Sequence, residues 1–272
     1  MTTAERHELR LLPTAADAAA EAASIICELL AAALIAAPNE DLASGSQAGR
    51  ASVAFSGGIS PRMMLASMPG VRLQPDWSRI DVFQVDERVA PEGDPSRNLV
   101  DLQHHLLEQL SPPPALHPIP VQAGATQAAL RYAKTLSDTL GDGGHLSLVH
   151  LGLGSDGHCA SLVPRDPALR VMNADVAATA AYQGHERVTM TYPLLNRSSC
   201  AVWLVTGESK RAALAALLRD DPEIPATHVR CNRSIIVADQ SAVSSADRSV
   251  LSSADRSVER VGGRSGGQVR EW

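Results

Sequence analysis

The segment His145–Pro164, HLSLVHLGLGSDGHCASLVP, indicates the fold of this chain more directly than any other part of the sequence. Its first part, Leu146–Leu151, has the length and apolar content of a buried strand. The strand leads into a glycine-rich loop that contains Asp156 and His158. Open α/β sheets bind their ligands in loops at the carboxyl ends of strands. The segment therefore predicts an α/β protein with a ligand site in this loop.

The segments on both sides predict an alternation of strands and helices. The predicted strands are Ala51–Phe55, Ile80–Val85, Leu146–Leu151, Arg187–Thr191, Ala201–Thr206 and Ser234–Ala238. The predicted helices are Thr14–Ala36, Arg62–Met68, Leu99–Leu110, Thr126–Leu140 and Arg211–Arg219. Such alternation is typical of a mostly parallel sheet with helices on both faces. We predict one α/β domain over residues 1–242.

The sequence changes character near Ala242. Ser244–Val250 and Ser252–Val258 are the same seven residues, SSADRSV, and a glycine- and arginine-containing stretch follows them. These residues offer too little apolar surface for a packed core. We expect residues 243–272 to form a low-complexity, disordered tail, except where the first repeat extends a C-terminal helix.

Composition and charge exclude several classes of partner. The net charge is −6, and no stripe of Lys and Arg interleaves with aromatic residues, so we expect no nucleic-acid partner. The most apolar N-terminal stretch, Ile25–Ala37, has 13 residues and lacks the basic flank of a signal peptide. A membrane span needs about 20 apolar residues. We therefore expect no membrane partner and a cytoplasmic location.

The cysteines and paired histidines do not predict a metal site. Cys27, Cys159, Cys200 and Cys231 are far apart and form no C-x-x-C pair, which favours reduced thiols over a disulfide framework or a zinc site. The adjacent His104 and His105 have no histidine or cysteine one helical turn away, and we interpret them as surface or packing residues rather than metal ligands. Cys159 follows His158, and we interpret it as a small buried residue rather than a nucleophile. We expect no metal and no cofactor.

Two further clusters follow predicted strands. Ser56-Gly57-Gly58-Ile59-Ser60-Pro61 joins a strand to the first turn of a helix, whose unpaired N–H groups attract anions. The same glycines also suit a tight turn without a ligand. Asp86-Glu87-Arg88 lies at the end of the next strand, as a solvated strand end or as part of a site.

Two known loop types resemble the central loop but do not fit it. Residues 152–157 match G-x-G-x-x-G, the dinucleotide fingerprint. Pro164 and Pro167 prevent the long helix that the fingerprint requires, and no acidic residue ends a second strand about 20 positions later. A serine nucleophile needs G-x-S-x-G, and Ser56, Ser60 and Ser155 lack the two flanking glycines.

The remaining hypothesis for this loop is a histidine that activates water. Neutral imidazole is a suitable general base near pH 7. Asp156, two positions away, would orient the ring of His158. The alternative is a structural histidine that hydrogen-bonds a backbone carbonyl.

Six motifs in order along the chain change the balance between these alternatives. They are SGGISP (56–61), VDERVAP (85–91), GLGSDGHCASLVP (152–164), RVTMTYPLLN (187–196), GESKR (207–211) and IPATHVR (224–230). Each motif is weak alone, but the ordered set closely resembles the 6-phosphogluconolactonase family from about Asp17 to Ala242. The resemblance implies an open Rossmann-like α/β sheet, similar to glucosamine-6-phosphate deaminase and ribose-5-phosphate isomerase. It also implies metal-free hydrolysis of a sugar phosphate lactone, 6-phospho-D-glucono-1,5-lactone.

The resemblance also implies roles for individual residues. His158 matches the histidine that takes a proton from the attacking water, with Asp156 behind it. Arg88 would stabilise the oxyanion or the lactone oxygens, and we include Asp86 of the same motif among the catalytic residues. The 6-phosphate would be held by Ser56, Gly57, Gly58, Ser60, Arg187 and Lys210. The resemblance does not distinguish a monomer from a dimer.

Within the six motifs, the sequence departs from the usual family residues at three positions. Ile59 stands where the family usually has Ser or Thr, so one hydroxyl near the phosphate is missing, and Ser60 is placed to compensate. Cys159 and Val163 replace Thr and Phe, which we interpret as packing changes.

Two rival functions remain open from the sequence. The deaminases typically continue D-G-H-I-A-F-N-E-P, whereas this chain has Cys159–Pro164 (CASLVP) after the histidine and Arg88 after the acidic pair. A non-catalytic sugar-phosphate-binding module is the other rival, although the chain retains Asp156 and His158.

Overall fold

Two sheets organise the computed structural model, which describes residues 6–37 and 49–243. The strands are β1 (Glu8–Leu12), β2 (Ala51–Phe55), β3 (Ile80–Gln84), β4 (Asp86–Arg88), β5 (Ala115–His117), β6 (Leu148–Gly152), β7 (Val176–Tyr182), β8 (His185–Met190), β9 (Cys200–Val205) and β10 (Arg233–Asp239). The α-helices are α1 (Ala15–Ala36), α2 (Ile59–Ser67), α3 (Asn98–His105), α4 (Ala125–Leu140), α5 (Tyr192–Arg197) and α6 (Arg211–Leu218). Every strand predicted from the sequence is present, within about two residues at each end.

The large sheet has seven strands in the order β1-β10-β9-β6-β2-β3-β5, and every neighbouring pair is parallel. The central strands β2, β3 and β9 are buried along their whole length. A parallel strand with both faces covered needs apolar residues at consecutive positions rather than at alternate ones. This explains the continuous apolar runs from which these strands were predicted.

Layers of different composition cover the two faces of this sheet. One face, which includes Val53 and Val202, packs against α1, α2 and α3. The other face, which includes Phe83 and Trp203, packs against α4, α6 and the small sheet. The predicted class, an open parallel α/β sheet with helices on both faces, is confirmed.

The small sheet was not predicted. It has three antiparallel strands in the order β4-β8-β7. The sequence suggested β8 as a strand but not its separation from the main sheet. Its neighbours β4 and β7 were missed because β4 has three residues, all of them charged, and β7 (VAATAAY) is rich in alanine. Strand propensity is low for both compositions.

Helix α1 confirms the predicted N-terminal helix and its cap. The Thr14 hydroxyl accepts a hydrogen bond from the backbone N–H of Asp17 (3.1 Å), and the Asp17 carboxylate accepts one from the N–H of Thr14 (3.1 Å). The helix has 22 residues and is apolar enough to cross a membrane, which the 13-residue estimate from sequence understated. Half of its most apolar window is buried against the sheet. Such packing is that of a core helix.

Other boundaries differ slightly from the sequence predictions. Helix α2 begins at Ile59 rather than Arg62, and α3 ends at His105, after which a 3-10 turn replaces the last predicted turn. Val243 is buried in the core beside Ala242. The predicted helix end at Pro38 and the predicted tail at residues 244–272 lie outside the described residues.

Candidate active site

A cavity of about 520 Å³ lies where the carboxyl ends of β2, β6 and β9 meet the small sheet. Nine of the ten site residues predicted from the sequence line it: Ser56, Gly57, Gly58, Ser60, Asp86, Arg88, His158, Arg187 and Lys210. The tenth, Asp156, is hydrogen-bonded to His158. The fold therefore brings all ten together from five separate parts of the chain. Carboxyl ends of parallel strands share one edge of a sheet, which is why these loops meet.

The glycine-rich loop after β6 is a tight turn and not the start of a helix. The N–H of Gly154 donates to the carbonyl of His158 (2.8 Å), and an antiparallel bridge joins Cys159 to Leu162. A Cβ atom on Gly154 would lie 2.1 Å from His158 Nδ1 and 2.6 Å from Asp156 Oδ1. Glycine at 154 thus makes room for the aspartate–histidine pair. The absence of a helix in this loop agrees with our rejection of the dinucleotide fingerprint.

The pair itself is closely joined. His158 Nδ1 lies 2.5 Å from Asp156 Oδ1, and the same oxygen accepts the backbone N–H of His158 at 3.2 Å. Partial burial raises the pKa of the Asp156 carboxyl, but the charge of His158 and its hydrogen bonds outweigh this effect, so the pKa is lower than usual. When Nδ1–H donates to the carboxylate, the neutral ring has its lone pair on Nε2. This arrangement suits a general base.

The first turn of α2 borders the cavity from the β2 side. Gly58, the residue before the helix, has φ of +120° and provides no side-chain cap. The first N–H groups of a helix lack intrahelical partners and attract anions. A Cβ atom on Gly57 would lie 2.0 Å from Asn98 Oδ1, so this glycine allows α3 to approach. The positive φ of Gly58 is what the tight-turn interpretation requires, and the anion site at this helix end stays a prediction.

The two serines of this loop have different environments. The Ser56 hydroxyl is buried and donates to the carbonyl of His150 (3.0 Å), so it fixes the loop to β6. The Ser60 hydroxyl lies 2.5 Å from the Thr206 hydroxyl at the end of β9. Ile59 is 81% exposed at the mouth of the cavity. Of these side chains, Ser60 and Thr206 offer the cavity their hydroxyl groups.

Of the three residues of β4, Asp86 and Arg88 line the cavity, whereas Glu87 supports α3. Glu87 is fully buried, and its carboxylate accepts the backbone N–H groups of Asn98 (2.8 Å) and Leu99 (3.0 Å) at the start of α3. Asp86 accepts hydrogen bonds from Ser161 Oγ (2.5 Å) and Asn98 Nδ2 (3.2 Å) and reaches the cavity. Strand residues alternate in direction, so Glu87 anchors a helix while its neighbours line the site.

Two arginines of the small sheet face the cavity from adjacent strands. Arg88 of β4 pairs directly with Arg187 of β8, and each has a buried Nε without a hydrogen-bond partner among the described residues. Burial lowers the pKa of Arg187, and the charge of Arg88 lowers it further, while Asp86 opposes both effects. Like charges on directly opposed strand residues repel each other. A bound anion would relieve this repulsion.

A third cationic side chain, that of Lys210, lines the cavity. Lys210 lies in the 3-10 turn Glu208–Lys210 after β9, and the N–H of Gly207 at its start donates to Asp239 Oδ1 (2.9 Å). Burial lowers the pKa of Lys210, although Asp156 partly offsets the effect. With Arg88, Arg187 and the α2 N-terminus, Lys210 gives the cavity an excess of positive charge over Asp86 and Asp156. The site is suited to an anionic ligand in a protein of negative net charge.

Several residues of the site were missed by the sequence analysis. The cavity is also lined by Asn98, Gln183, Thr206 and Ser209, and Tyr182 contacts Asp156. Thr206 immediately precedes the GESKR motif (207–211), and Ser209 lies within it. A search for polar residues at strand ends would have found both. Tyr182 and Gln183 lie on a strand end and turn with no sequence signal of their own. Cys159 and Val163 are buried, which agrees with their interpretation as packing residues.

Comparison with known proteins agrees with the family resemblance of the six sequence motifs. A family model described as glucosamine-6-phosphate isomerases/6-phosphogluconolactonase matches residues 13–237. The chain is 33% identical over 207 residues to 6-phosphogluconolactonase from Synechocystis sp., and the match covers 72% of this chain and 85% of that protein.

A human relative and a solved structure extend the comparison. The chain is 35% identical over 171 residues to the human GDH/6PGL endoplasmic bifunctional protein, a match that covers 60% of this chain. It spans only 22% of the length of that much longer relative. The structure of 6-phosphogluconolactonase from Trypanosoma cruzi superposes with a TM-score of 0.74 at 22% identity, covering 89% of this chain and 97% of the other. This likeness supports the fold.

Proposed function

The chain belongs to the glucosamine-6-phosphate isomerase/6-phosphogluconolactonase family, and we propose that it hydrolyses 6-phospho-D-glucono-1,5-lactone to 6-phospho-D-gluconate. This hydrolysis is the second step in the oxidative branch of the pentose phosphate pathway. The names of the relatives support the lactonase rather than the isomerase activity of the family. The Synechocystis relative supports it over most of its own length.

One observation carries the proposal for this chain. The Asp156–His158 pair faces the same cavity as the exposed N-terminus of α2 and three cationic side chains. A phosphorylated lactone needs both features: a base that activates water, and a separate region that binds a dianion. The cavity volume of about 520 Å³ is within the usual range for small-molecule sites.

The proposed mechanism uses only side chains of this chain. The Nε2 atom of His158 takes a proton from a water molecule as its oxygen bonds to the lactone carbonyl carbon. Asp156 stabilises the resulting imidazolium through the Nδ1–H hydrogen bond. The bond between that carbon and the ring oxygen then breaks. The imidazolium returns the proton to the departing oxygen, and the product acid ionises in solution.

Cationic groups would act at the two ends of the substrate. We assign Arg88 to the carbonyl oxygen, where negative charge develops as water attacks. The α2 N-terminus, Ser60, Arg187 and Lys210 would bind the 6-phosphate. Ser56 would act through loop position, since its hydroxyl is already bonded to the carbonyl of His150. Asp86, fixed by Ser161 and Asn98, would offset part of the positive charge of Arg187.

The remaining proposals concern partners and location. We infer that the partner is the small-molecule substrate and that the protein acts in the cytoplasm without nucleic acid or membrane.

A direct assay tests the proposal. Acid release from freshly prepared lactone is followed at constant pH and compared with spontaneous hydrolysis, while ammonia release from glucosamine 6-phosphate is measured in parallel. We expect acceleration of the first reaction only. His158→Ala should remove most of the acceleration yet bind 6-phosphogluconate, whereas His104→Ala, at an exposed histidine outside the cavity, should match the wild type. Ammonia release without lactone hydrolysis would refute the proposal in favour of the isomerase activity.

A further inference from the structure

Tyr182 lies between His158 and Arg187. It lies at the end of β7, and its ring meets the ring of His158 edge to face, with centroids 5.6 Å apart and planes at 71°. On the same ring, the guanidinium carbon of Arg187 lies 5.1 Å from the centroid. One side chain thus contacts both the histidine assigned to water activation and an arginine assigned to the phosphate.

The hairpin between β7 and β8 fixes the position of this tyrosine. Tyr182 pairs with His185 across the turn, and the two residues between them, Gln183 and Gly184, have φ values of +52° and +86°. Positive φ at both central residues is the property of the type I′ turn, which suits the twist of paired strands. The backbone at Tyr182 is therefore set by a two-residue hairpin and not by a long loop.

The Tyr182 hydroxyl completes the hydrogen bonding of Asp156. It donates to Asp156 Oδ2 at 3.3 Å, while the other oxygen, Oδ1, bonds to His158. A carboxylate held at both oxygens has less freedom to rotate than one held at a single oxygen. Burial raises the pKa of the Tyr182 hydroxyl, and the charge of Asp156 raises it further, so the hydroxyl keeps its proton.

The ring and backbone of Tyr182 also restrain Arg187. The guanidinium lies over the ring, and its Nη2 group donates to the Tyr182 carbonyl (3.4 Å) and to Gln183 Oε1 (3.3 Å). The Nε of Arg187 has no partner among the described residues. The hairpin therefore fixes the guanidinium through its Nη2 group, while Nε stays buried.

We propose that Tyr182 is a positioning residue that orients the Asp156–His158 pair through its hydroxyl and Arg187 through its ring. This role rests on the proposed lactonase function and assigns Tyr182 a part in it. The hydroxyl affects water activation, and the ring affects phosphate binding. Because the two contacts use different parts of one side chain, different substitutions separate them.

Kinetics of two variants give the first test. Tyr182→Phe keeps the ring and removes the hydroxyl, so kcat should fall about three- to ten-fold, as expected for one lost hydrogen bond, with KM within two-fold of wild type. Tyr182→Ala removes both contacts, so KM should also rise several-fold. Tyr192→Phe is the matched control, because its hydroxyl bonds to the Pro225 carbonyl away from this cavity. Its kcat and KM should equal those of the wild type.

The second test does not depend on turnover. A long-range ¹H–¹⁵N spectrum at neutral pH reports which ring nitrogen of His158 carries the proton. The Nδ1–H form should dominate in the wild type and in Tyr192→Phe, and its share should fall in Tyr182→Phe and fall further in Asp156→Asn. If the wild type lacks lactonase activity, the proposed function fails, but this spectrum still decides the role of Tyr182. An unchanged spectrum in Tyr182→Phe overturns the positioning role, whatever the activity.

Discussion

Replacing Asp156 with asparagine should reduce lactonase turnover without weakening substrate binding. The substitution keeps the size of the side chain and removes its charge. His158 then loses the carboxylate 2.5 Å from Nδ1 that stabilises the imidazolium formed during water attack. An asparagine can also present its NH₂ group to Nδ1, which favours the tautomer in which Nε2 is protonated and cannot act as a base.

The expected fall in kcat follows from the solvent exposure of Asp156 and His158. The His158 and Asp156 side chains are 22% and 37% exposed, so their interaction is that of partly solvated charges. Two unit charges 4 Å apart interact with about 1 kcal/mol in water and about 4 kcal/mol near a protein surface. We expect a loss of about 1–3 kcal/mol of transition-state stabilisation, or a fall in kcat of about 5- to 150-fold. Removing the base itself with His158→Ala should cost about 10²–10⁴-fold.

A double-mutant cycle provides the measurement. The wild type, Asp156→Asn, His158→Ala and the double variant are compared by acid release at constant pH, after subtraction of spontaneous hydrolysis. If Asp156 acts through His158, its substitution should change kcat less than two-fold once the histidine is absent. The opposite result, an equal loss from Asp156→Asn in both backgrounds, would refute the pairing and give Asp156 an independent role.

Four further outcomes test other parts of the structure. Lys210→Ala should raise KM about 10- to 100-fold with little change in kcat, as for a lost charge-assisted contact to phosphate, and the exposed Lys134→Ala is the control. Glu87→Gln should lower the free energy of unfolding by about 3 kcal/mol or more, measured by urea denaturation, because it leaves the buried Arg97 guanidinium, 3.4 Å from Glu87 Oε2, without its counter-charge; a loss below about 1 kcal/mol would contradict this role of Glu87. Burial, reinforced by Arg6, lowers the pKa of His7 to about 4, so the unfolded chain binds a proton near pH 6.5 and the folded protein does not. Unfolding free energy should thus be constant above about pH 7 and fall by about 2 kcal/mol at pH 5, and His7→Gln should remove that dependence. Deletion of residues 244–272 should leave activity and melting temperature unchanged, and a large fall in melting temperature would show that this segment contributes to the fold.

The five inner strands of the main sheet were predictable because they are covered on both faces, whereas the edge strands β1 and β5 were not predicted. Covered strands need continuous apolar runs, and such runs are visible in a single sequence, as at Ala51–Phe55 and Cys200–Val205. The small sheet was not predictable for the opposite reason. Its strand β4 consists of three charged residues, which are strand-forming only through their pairing with β8.

The site was predictable at the level of loops more than of individual side chains. Loops after parallel strands meet at one edge, so Ser60, Lys210 and His158 were expected together, and the structure brings them together. The different environments of Asp86 and Glu87 depend on the direction in which each side chain points along a three-residue strand. Tyr182 reaches Asp156 through a hairpin whose strand was itself not predicted. Contacts of this kind arise from tertiary structure, which local sequence patterns do not encode.

The edge strand β1 has a consequence for the synthesis of this protein. It pairs with β10 in parallel, and His7 beside it bonds to Ser234, 227 positions away in sequence. A nascent chain therefore exposes one edge of β9 until β10 leaves the ribosome, and β1 has no strand to join before then. Pairing over such a separation is slow compared with local contacts. Any nascent chain that stalls before Arg233 would present the apolar, unpaired edge of β9, which is a template for aggregation.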